Sequence, residues 1–406
     1  MVLNREQEIA LAELKAWLKS KDMSPRGLIG RAGTGKTFLL QYLDLPVSTI
    51  GVAPTLQAVG ILANSLDCAC TSFSSFTFGT KVYNKDKSEF VSDKSKWHKA
   101  KRHGLIIIDE ASMLSEKDVK LLYEIYPKQK ILFVGDIGQL PSIEDEEYSV
   151  FNDIICYLLL KNERSGVNNP VLTIANNNYL SENINIDDRD NIFEGKGYKY
   201  IKLKDINDLF IEGELDTVCV ATNRIRNNIN SEIHNLLFPG TNYGVGEILI
   251  SNENIEYLGK EKTKNRKYRI TNSELIKVID TTQISTKLTV DKLSVDVLFD
   301  RIITDRGIVN VLNAQYQNTY NKFVQDIRGL CMLKKLDWDE YHKYKEYFHD
   351  ISYSYAITVH KAQGSGFRNV AVYYNDIKKF FNSNIKVNLF YTAVTRTRNI
   401  CYIIVD

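Results

Sequence analysis

Apolar positions between residues 5 and 18 step by three and four, through Leu11, Leu14 and Leu18 with Trp17 beside them. That spacing predicts an amphipathic helix. Short apolar runs follow at Leu28-Ile29, Thr49–Ala53, Leu105–Ile108 and 131–134. Each ends in a Gly, Pro or Asp turn and gives way to helical pattern, the rhythm of a parallel sheet covered by helices. Residues 80–103 break the rhythm. Lys81-Val82-Tyr83 and Glu89-Phe90-Val91 flank a polar stretch and predict a hairpin, followed by the basic run from Lys94 to Arg102 around Trp97.

A second α/β region is expected from about residue 166. Its strands are predicted at 218–221, 353–359, 370–374 and 401–405, with a helix over Asn223–Leu237. Between 246 and 348 the pattern changes to short strand candidates at 247–250, 275–279, 287–290, 295–299 and 301–304, as in a small β-barrel. The expected class is therefore α/β, with two parallel-sheet domains and a β insertion in the second. A basic segment, Lys260–Arg269, lies within that insertion and predicts a charged loop.

Length and composition support several packed cores: 406 residues, 44% hydrophobic and 25% charged. Collagen-like, disordered and disulfide-scaffold chains are thereby excluded. A net charge of +2 identifies no polyanionic partner, so any nucleic-acid contact must come from local patches. The six cysteines form no CxxC pair, which predicts free thiols in a reducing compartment. The N-terminus carries charge at once, so no signal peptide is expected, and no run reaches the length of a membrane span. An intracellular, cytoplasmic chain is the expectation.

Gly30-Arg31-Ala32-Gly33-Thr34-Gly35-Lys36-Thr37 matches the phosphate-loop pattern G-x-x-x-x-G-K-[ST] between a predicted strand and a helix. Gly30, Gly33 and Gly35 let backbone amides converge on phosphate oxygens, and the helix N-terminus adds its dipole. Lys36 suits the β/γ-phosphates and Thr37 a Mg²⁺ ligand, so ATP and Mg²⁺ are the expected substrate and cofactor. Asp109 and Glu110 close the Leu105–Ile108 strand, at the sheet edge where α/β ligands bind. Asp109 can hold the Mg²⁺ shell and Glu110 can polarise the attacking water. Gln139, in Gly135-Asp136-x-x-Gln139-Leu140-Pro141, can report the γ-phosphate.

These elements, in this order, resemble the motifs of superfamily 1 helicases. Leu3-Asn4-x-x-Gln7 is similar to the adenine-reading Q motif, 53–55 to motif Ia, and 109–113 to motif II. Glu163-Arg164-Ser165 resembles motif IV, 358–365 motif V and 391–398 motif VI. The resemblance is to the 5′→3′ branch, the RecD-like and phage Dda-like enzymes, and covers nearly the whole chain. It implies RecA-like domain 1A over 1–165 with a wedge insertion 1B at about 77–103. Domain 2A would take 166–245 and 349–406, and an SH3-like insertion 2B would take 246–348. Arg164 and Arg396 match the family's arginine fingers. Thr55, Thr358, His360 and Lys361 match its phosphate contacts. Phe73 stands where the family has a His and would stack on a base.

The implied function is ATP-dependent 5′→3′ translocation on single-stranded DNA with unwinding at single-strand/duplex junctions. A monomer is the expected state, and replication, recombination or repair proteins are the expected partners. Two alternatives stay open: a single-strand-stimulated ATPase that remodels protein–DNA complexes, and a RecD-like subunit of a larger DNA-processing complex.

Overall fold

The computed structural model describes residues 3–78, 81–84, 89–92, 103–142, 145, 148–161, 169–186, 189–257, 268–380 and 382–405. The chain divides into two units, Met1–Ile225 with Ile357–Asp406, and Arg226–Ala356. Both parallel sheets lie in the first unit. Among the described residues no helix is long and apolar enough to cross a membrane. All six cysteines are free thiols.

The first sheet is wholly parallel, in the order Ala69–Ser72, Thr49–Ala53, Leu105–Ile108, Ile131–Gly135, Arg26–Gly30, Ile155–Leu159. The four central strands are those that the apolar runs predict. They are almost continuously apolar because both faces are covered. One face packs Leu28, Ile107 and Leu132 against Leu14 and Trp17 of helix Arg5–Lys19 and Leu39 of helix Lys36–Leu40. The other packs Ile106, Ile108 and Phe133 against Val119 and Leu122 of helix Glu116–Ile125. The two edge strands escape the sequence reading. Ala69–Ser72 carries no apolar run, whereas Ile155–Leu159 is continuously apolar yet leaves Ile155 and Leu158 exposed at the edge.

The second sheet runs Ala356–Thr358, Thr217–Val220, Val370–Tyr373, Ile400–Ile404, Lys196–Ile201, Asn191–Phe193. Strands Thr217–Val220, Val370–Tyr373, Ile400–Ile404 and Lys196–Ile201 pair in parallel, and Asn191–Phe193 is antiparallel at the edge. The segment expected as one strand over 353–359 is two, Ile351–Tyr353 and Ala356–Thr358, which join different sheets.

The unit Arg226–Ala356 departs most from expectation. Four of the short strand candidates are the ends of two long strands, Leu275–Val290 and Leu293–Thr304, paired in one hairpin. Nothing between the predicted pieces breaks them: residues 280–286 hold no Gly or Pro and are rich in Thr, which favours extended backbone. Helices Gln317–Met332 and Trp338–Lys345 also stand within the stretch expected to be all β.

The long hairpin serves two cores, one on each face. A register shift between Val278 and Asp280 turns its strand over. Before it, Ile276 and Val278 pack with Leu249, Ile270, Ile302 and Val309. Beyond it, Val290, Val295, Val297 and Phe299 pack on Tyr320, Phe323 and Ile327 of helix Gln317–Met332. The five-stranded sheet Ile308–Leu312, Leu293–Thr304, Leu275–Val290, Ile248–Ser251, Ile351–Tyr353 thus belongs to a mixed α/β unit, in place of the all-β insertion that the pattern suggested.

Candidate nucleotide site

Strand Arg26–Gly30 ends where helix Lys36–Leu40 begins, and the loop between them needs two left-handed residues. Gly33 and Gly35 supply them, with φ of 85° and 80°. Gly35 is also crowded from behind, since a Cβ there would come within 2.7 Å of Gln7 Nε2. Gln7 is buried. Its Nε2 donates to the Thr34 carbonyl at 3.0 Å, and its Oε1 accepts from the Asn4 amide at 3.1 Å. The carboxamide that the resemblance assigns to adenine therefore braces the phosphate loop and caps helix Arg5–Lys19, with both ends engaged inside the protein.

Lys36 Nζ donates to the Gly30 carbonyl and, at 3.1 Å, to that of Arg31. Asp109 follows strand Leu105–Ile108, and its Oδ1 accepts the Glu110 amide at 2.9 Å. Glu110 itself takes left-handed backbone, φ 51°, a conformation that costs a non-glycine residue free energy and clusters at functional sites. Burial pushes the Asp109 carboxyl up, against the Glu110 amide and the Lys36 ammonium, which favour its charge. Burial raises Glu110 too, to about 7, with the Asp109 charge adding to the rise and Arg396 and Lys36 opposing it.

This donor set fits Mg²⁺ in one specific way. Among the described residues no group of three or more His, Cys, Asp and Glu forms a protein cage. Mg²⁺ is commonly held by one or two protein oxygens together with substrate phosphates and water. Thr37, next to Lys36 in the loop, and Asp109, a carboxylate already acted on by Lys36, are hard oxygen donors of that kind.

The loop after strand Ile131–Gly135 is gripped by the second half of the same unit. Tyr391 Oη donates to Asp136 Oδ2 at 2.9 Å, and the Asp136 Oδ1 accepts from the Gly138 amide at 2.9 Å. Thr392 Oγ1 accepts the Leu140 amide at 3.2 Å, and Gln363 Nε2 donates to the Leu140 carbonyl at 3.0 Å. Gln139 sits in this loop, buried, and among the described residues no donor satisfies its Oε1.

Arg396 follows helix Ser383–Val394 and is buried. Its Nε donates to Thr392 O at 3.1 Å, one Nη to Ser365 O at 3.4 Å and the other to Thr395 Oγ1 at 3.2 Å. The Arg396 charge nevertheless acts on Glu110, so residues borne by two different sheets share one electrostatic site. Sequence reasoning passed over Tyr391, Thr392 and Gln363 as motif letters without roles. Their partners lie more than 200 positions away, and no local signal marks such a bond.

Among the nucleic-acid candidates, Thr55 and Thr358 occupy equivalent places. Each hydroxyl caps the helix that follows a strand, accepting from Ala58 and Lys361 respectively. Ser365 Oγ donates to Gln57 Oε1 at 2.7 Å, which ties the segment carrying His360 and Lys361 to the helix after Thr55. His360 and Lys361 are both half-buried on Val359–Ala362. Arg164 lies outside the described residues, as do Trp97 with its basic run and most of Lys260–Arg269.

Phe73 must be reassigned. Its ring is 8% exposed and packs with Val52, Ile108 and Phe133 in the first sheet's core, so it offers no face to a base. Phe73→Ala is expected to lower unfolding free energy by about 3–5 kcal/mol. Single-strand affinity of the folded protein should stay the same. Denaturant unfolding and a DNA titration check both, and a loss of affinity at full stability would restore the stacking role.

Comparisons with known proteins agree with this arrangement. Residues 2–156 match the family model described as AAA domain, and residues 353–404 match that of the UvrD-like helicase C-terminal domain. An uncharacterised protein of Methanocaldococcus jannaschii is 24% identical over 93% of this chain, which spans only 36% of that relative's length. An uncharacterised protein of Acanthamoeba polyphaga mimivirus is 23% identical over 97% of this chain and 98% of its own. Among solved structures, the Pif1 helicase of Candida albicans shares the fold at a TM-score of 0.52 and 16% identity, over 100% of this chain and 95% of that one. A Bacteroides Pif1 bound to single-stranded DNA does so at 0.50 and 16%, over 99% and 92%. The first part of the chain thus matches an AAA domain and its last part a UvrD-like helicase C-terminal domain, and its fold is shared with Pif1 helicases.

Proposed function

We propose that the chain is an ATP-driven 5′→3′ translocase on single-stranded DNA that unwinds duplexes at forks. The observation that carries this reading is the phosphate loop bearing Lys36, with the Gln139 loop beside it held by Tyr391, Thr392 and Gln363 from the segments that carry Arg396. Phosphoryl transfer to water needs positioning and charge stabilisation more than covalent chemistry. Lys36 leaves its loop carbonyls to neutralise the β/γ-phosphates, Glu110 takes the proton of the attacking water, and Gln139 orients that water with its unsatisfied acceptor. Mg²⁺ held at Thr37 and Asp109 would supply further positive charge to the phosphate oxygens. Arg396 completes the site from the other side, and this makes hydrolysis depend on how the two sheets approach. Thr55 and Thr358, on equivalent helix starts, offer two grips on a strand whose spacing changes with each cycle.

A related Pif1 has been solved bound to single-stranded DNA and another study concerns Pif1 at forked duplex DNA; these support the same substrates here. The direct test is strand displacement with ATP on 5′-tailed and 3′-tailed duplexes. The expected result is unwinding of the 5′-tailed substrate. Strong single-strand-stimulated ATPase with no displacement on either would replace unwinding by the remodelling of protein–DNA complexes.

The hairpin of Lys81–Asn84 and Glu89–Ser92 supports a wedge. Its backbone pairing sets Tyr83 opposite Phe90, and the segment 85–88 between the strands lies outside the described residues. A base-pair step costs on the order of 1.4 kcal/mol to open, so a rigid obstacle on a moving motor need only block re-annealing. Replacing 83–90 by a short Gly-Ser turn should abolish unwinding while DNA-stimulated ATPase and single-strand translocation persist. Undiminished unwinding by that variant would refute the wedge.

A further inference from the structure

The phosphate loop and the Gln139 loop are both held by one side chain from the far end of the chain. Tyr391 is 1% exposed. Its hydroxyl accepts the Ala32 amide of the phosphate loop at 3.0 Å and donates to Asp136 Oδ2 at 2.9 Å. One donor and one acceptor function are thus used on two loops that belong to the first sheet, by a residue of helix Ser383–Val394 in the second half. Asp136 is fully buried. Tyr391 and the Gly138 amide are therefore what stand in for water around its carboxylate.

The ring is seated as firmly as the hydroxyl. Gly138 lies against it, and a Cβ there would meet Tyr391 Cε1 at 3.0 Å. On another side the ring lies 5.4 Å from that of Tyr179, whose hydroxyl donates to Ile137 O at 3.3 Å and whose face carries the Arg31 guanidinium at 5.3 Å. Arg31 and Ala32 are consecutive in the phosphate loop, and Ile137 and Gly138 are consecutive in the Gln139 loop. The two tyrosines therefore connect the same two loops twice. The next residue, Thr392, takes the Leu140 amide through its hydroxyl and the Arg396 Nε through its carbonyl. A shift of Tyr391 relative to the phosphate loop is consequently a shift of the residue that anchors Arg396.

We propose that Tyr391 is a positioning residue for ATP hydrolysis. By joining the Ala32 amide to Asp136, it registers the phosphate loop and Gln139 against the helix that delivers Arg396. The role rests on the reading of the site as an ATPase. It acts on the transition state more than on nucleotide affinity, because the phosphate-binding glycines, Lys36 and Thr37 are untouched by it. A misplacement of about 1 Å at a distance from the chemistry can lower a rate on the order of 100-fold.

The experiment compares wild type, Tyr391→Phe and Gly138→Ala in steady-state ATPase assays with and without single-stranded DNA, beside fluorescent-ATP binding and thermal unfolding. Tyr391→Phe keeps the ring and removes the two hydrogen bonds. Gly138→Ala keeps every hydrogen-bonding group and displaces the ring. Both should lower DNA-stimulated kcat at least about tenfold, leave KM and nucleotide affinity within about twofold, and flatten the ratio of stimulated to unstimulated rate. The double variant Tyr391→Phe/Asp136→Asn should be no slower than Tyr391→Phe alone, because the two act through one bond. Unchanged kcat and stimulation in a folded Tyr391→Phe protein overturns the inference while leaving the ATPase intact. A wild type that does not hydrolyse ATP overturns the functional reading first, before either variant is considered. If Tyr391→Phe does not fold, Gly138→Ala alone decides, and a KM change without a kcat change in it assigns Tyr391 to nucleotide binding instead.

Discussion

Glu110→Gln is expected to bind ATP and hold it, with turnover lowered by about 10²–10⁴-fold, the usual contribution of a positioned general base. The side chain sits at the end of an apolar strand, in left-handed backbone, beside Asp109 and within reach of the Lys36 and Arg396 charges. Glutamine keeps the size and can keep the backbone conformation, but it cannot take a proton from water. Lys36→Ala should behave differently. It removes the ammonium that now rests on the Gly30 and Arg31 carbonyls and that would serve the phosphates, so nucleotide affinity and turnover should fall together. Equilibrium binding of labelled ATP beside single-turnover hydrolysis separates the two. Near-normal turnover in either variant would remove the site assigned here.

Arg396→Ala should produce the other large effect, a fall in kcat of about 10³-fold or more with little change in ATP affinity. Arginines that complete a phosphoryl-transfer site act on charge that develops in the transition state, and their removal costs roughly 10³–10⁵ in rate. In this structure the guanidinium is held by Thr392, Thr395 and Ser365, all carried by the second half, so it travels with that half. Arg396→Lys should rescue little, because an ammonium cannot reproduce the planar fork. The measurement is kcat against KM under single-strand saturation. A change confined to KM would make Arg396 a binding residue. Because Arg396 also makes three hydrogen bonds in a buried place, the alanine protein should be checked by thermal unfolding, and Arg396→Lys supplies a less disruptive comparison.

Much of the nucleotide site is legible in the residues themselves. A phosphate loop is a local device: two glycines at φ near 80°, a lysine and a threonine at a helix start, all within eight consecutive positions. The Asp109-Glu110 pair is equally local, because an apolar strand of a parallel sheet ends at the ligand edge wherever it occurs. Central strands declare themselves because they are covered on both faces. The edge strand Ala69–Ser72 has no apolar run, and the 16-residue strand Leu275–Val290 hides because its middle is polar and exposed. Asp280, Thr282 and Gln283 are polar and exposed and interrupt the alternation of buried positions, which resumes at Ile284.

The sequence by itself determined the fold class, the order of the motifs and the local geometry of the phosphate loop. Those follow from backbone geometry and from residue types a few positions apart. Tertiary structure alone decided what each of the remaining side chains touches. Phe73 looks like a stacking platform by its place in the motif order, yet packing against Val52, Ile108 and Phe133 makes it core. Gln7 looks like a base reader, and its buried carboxamide also donates to Thr34 and accepts from Asn4. Tyr391 looks like one aromatic among 23 tyrosines, yet it closes a bond to Ala32 across 359 positions. Hydrogen bonds and burial depend on which surfaces meet in space, and sequence spacing carries no record of a meeting between residues so far apart.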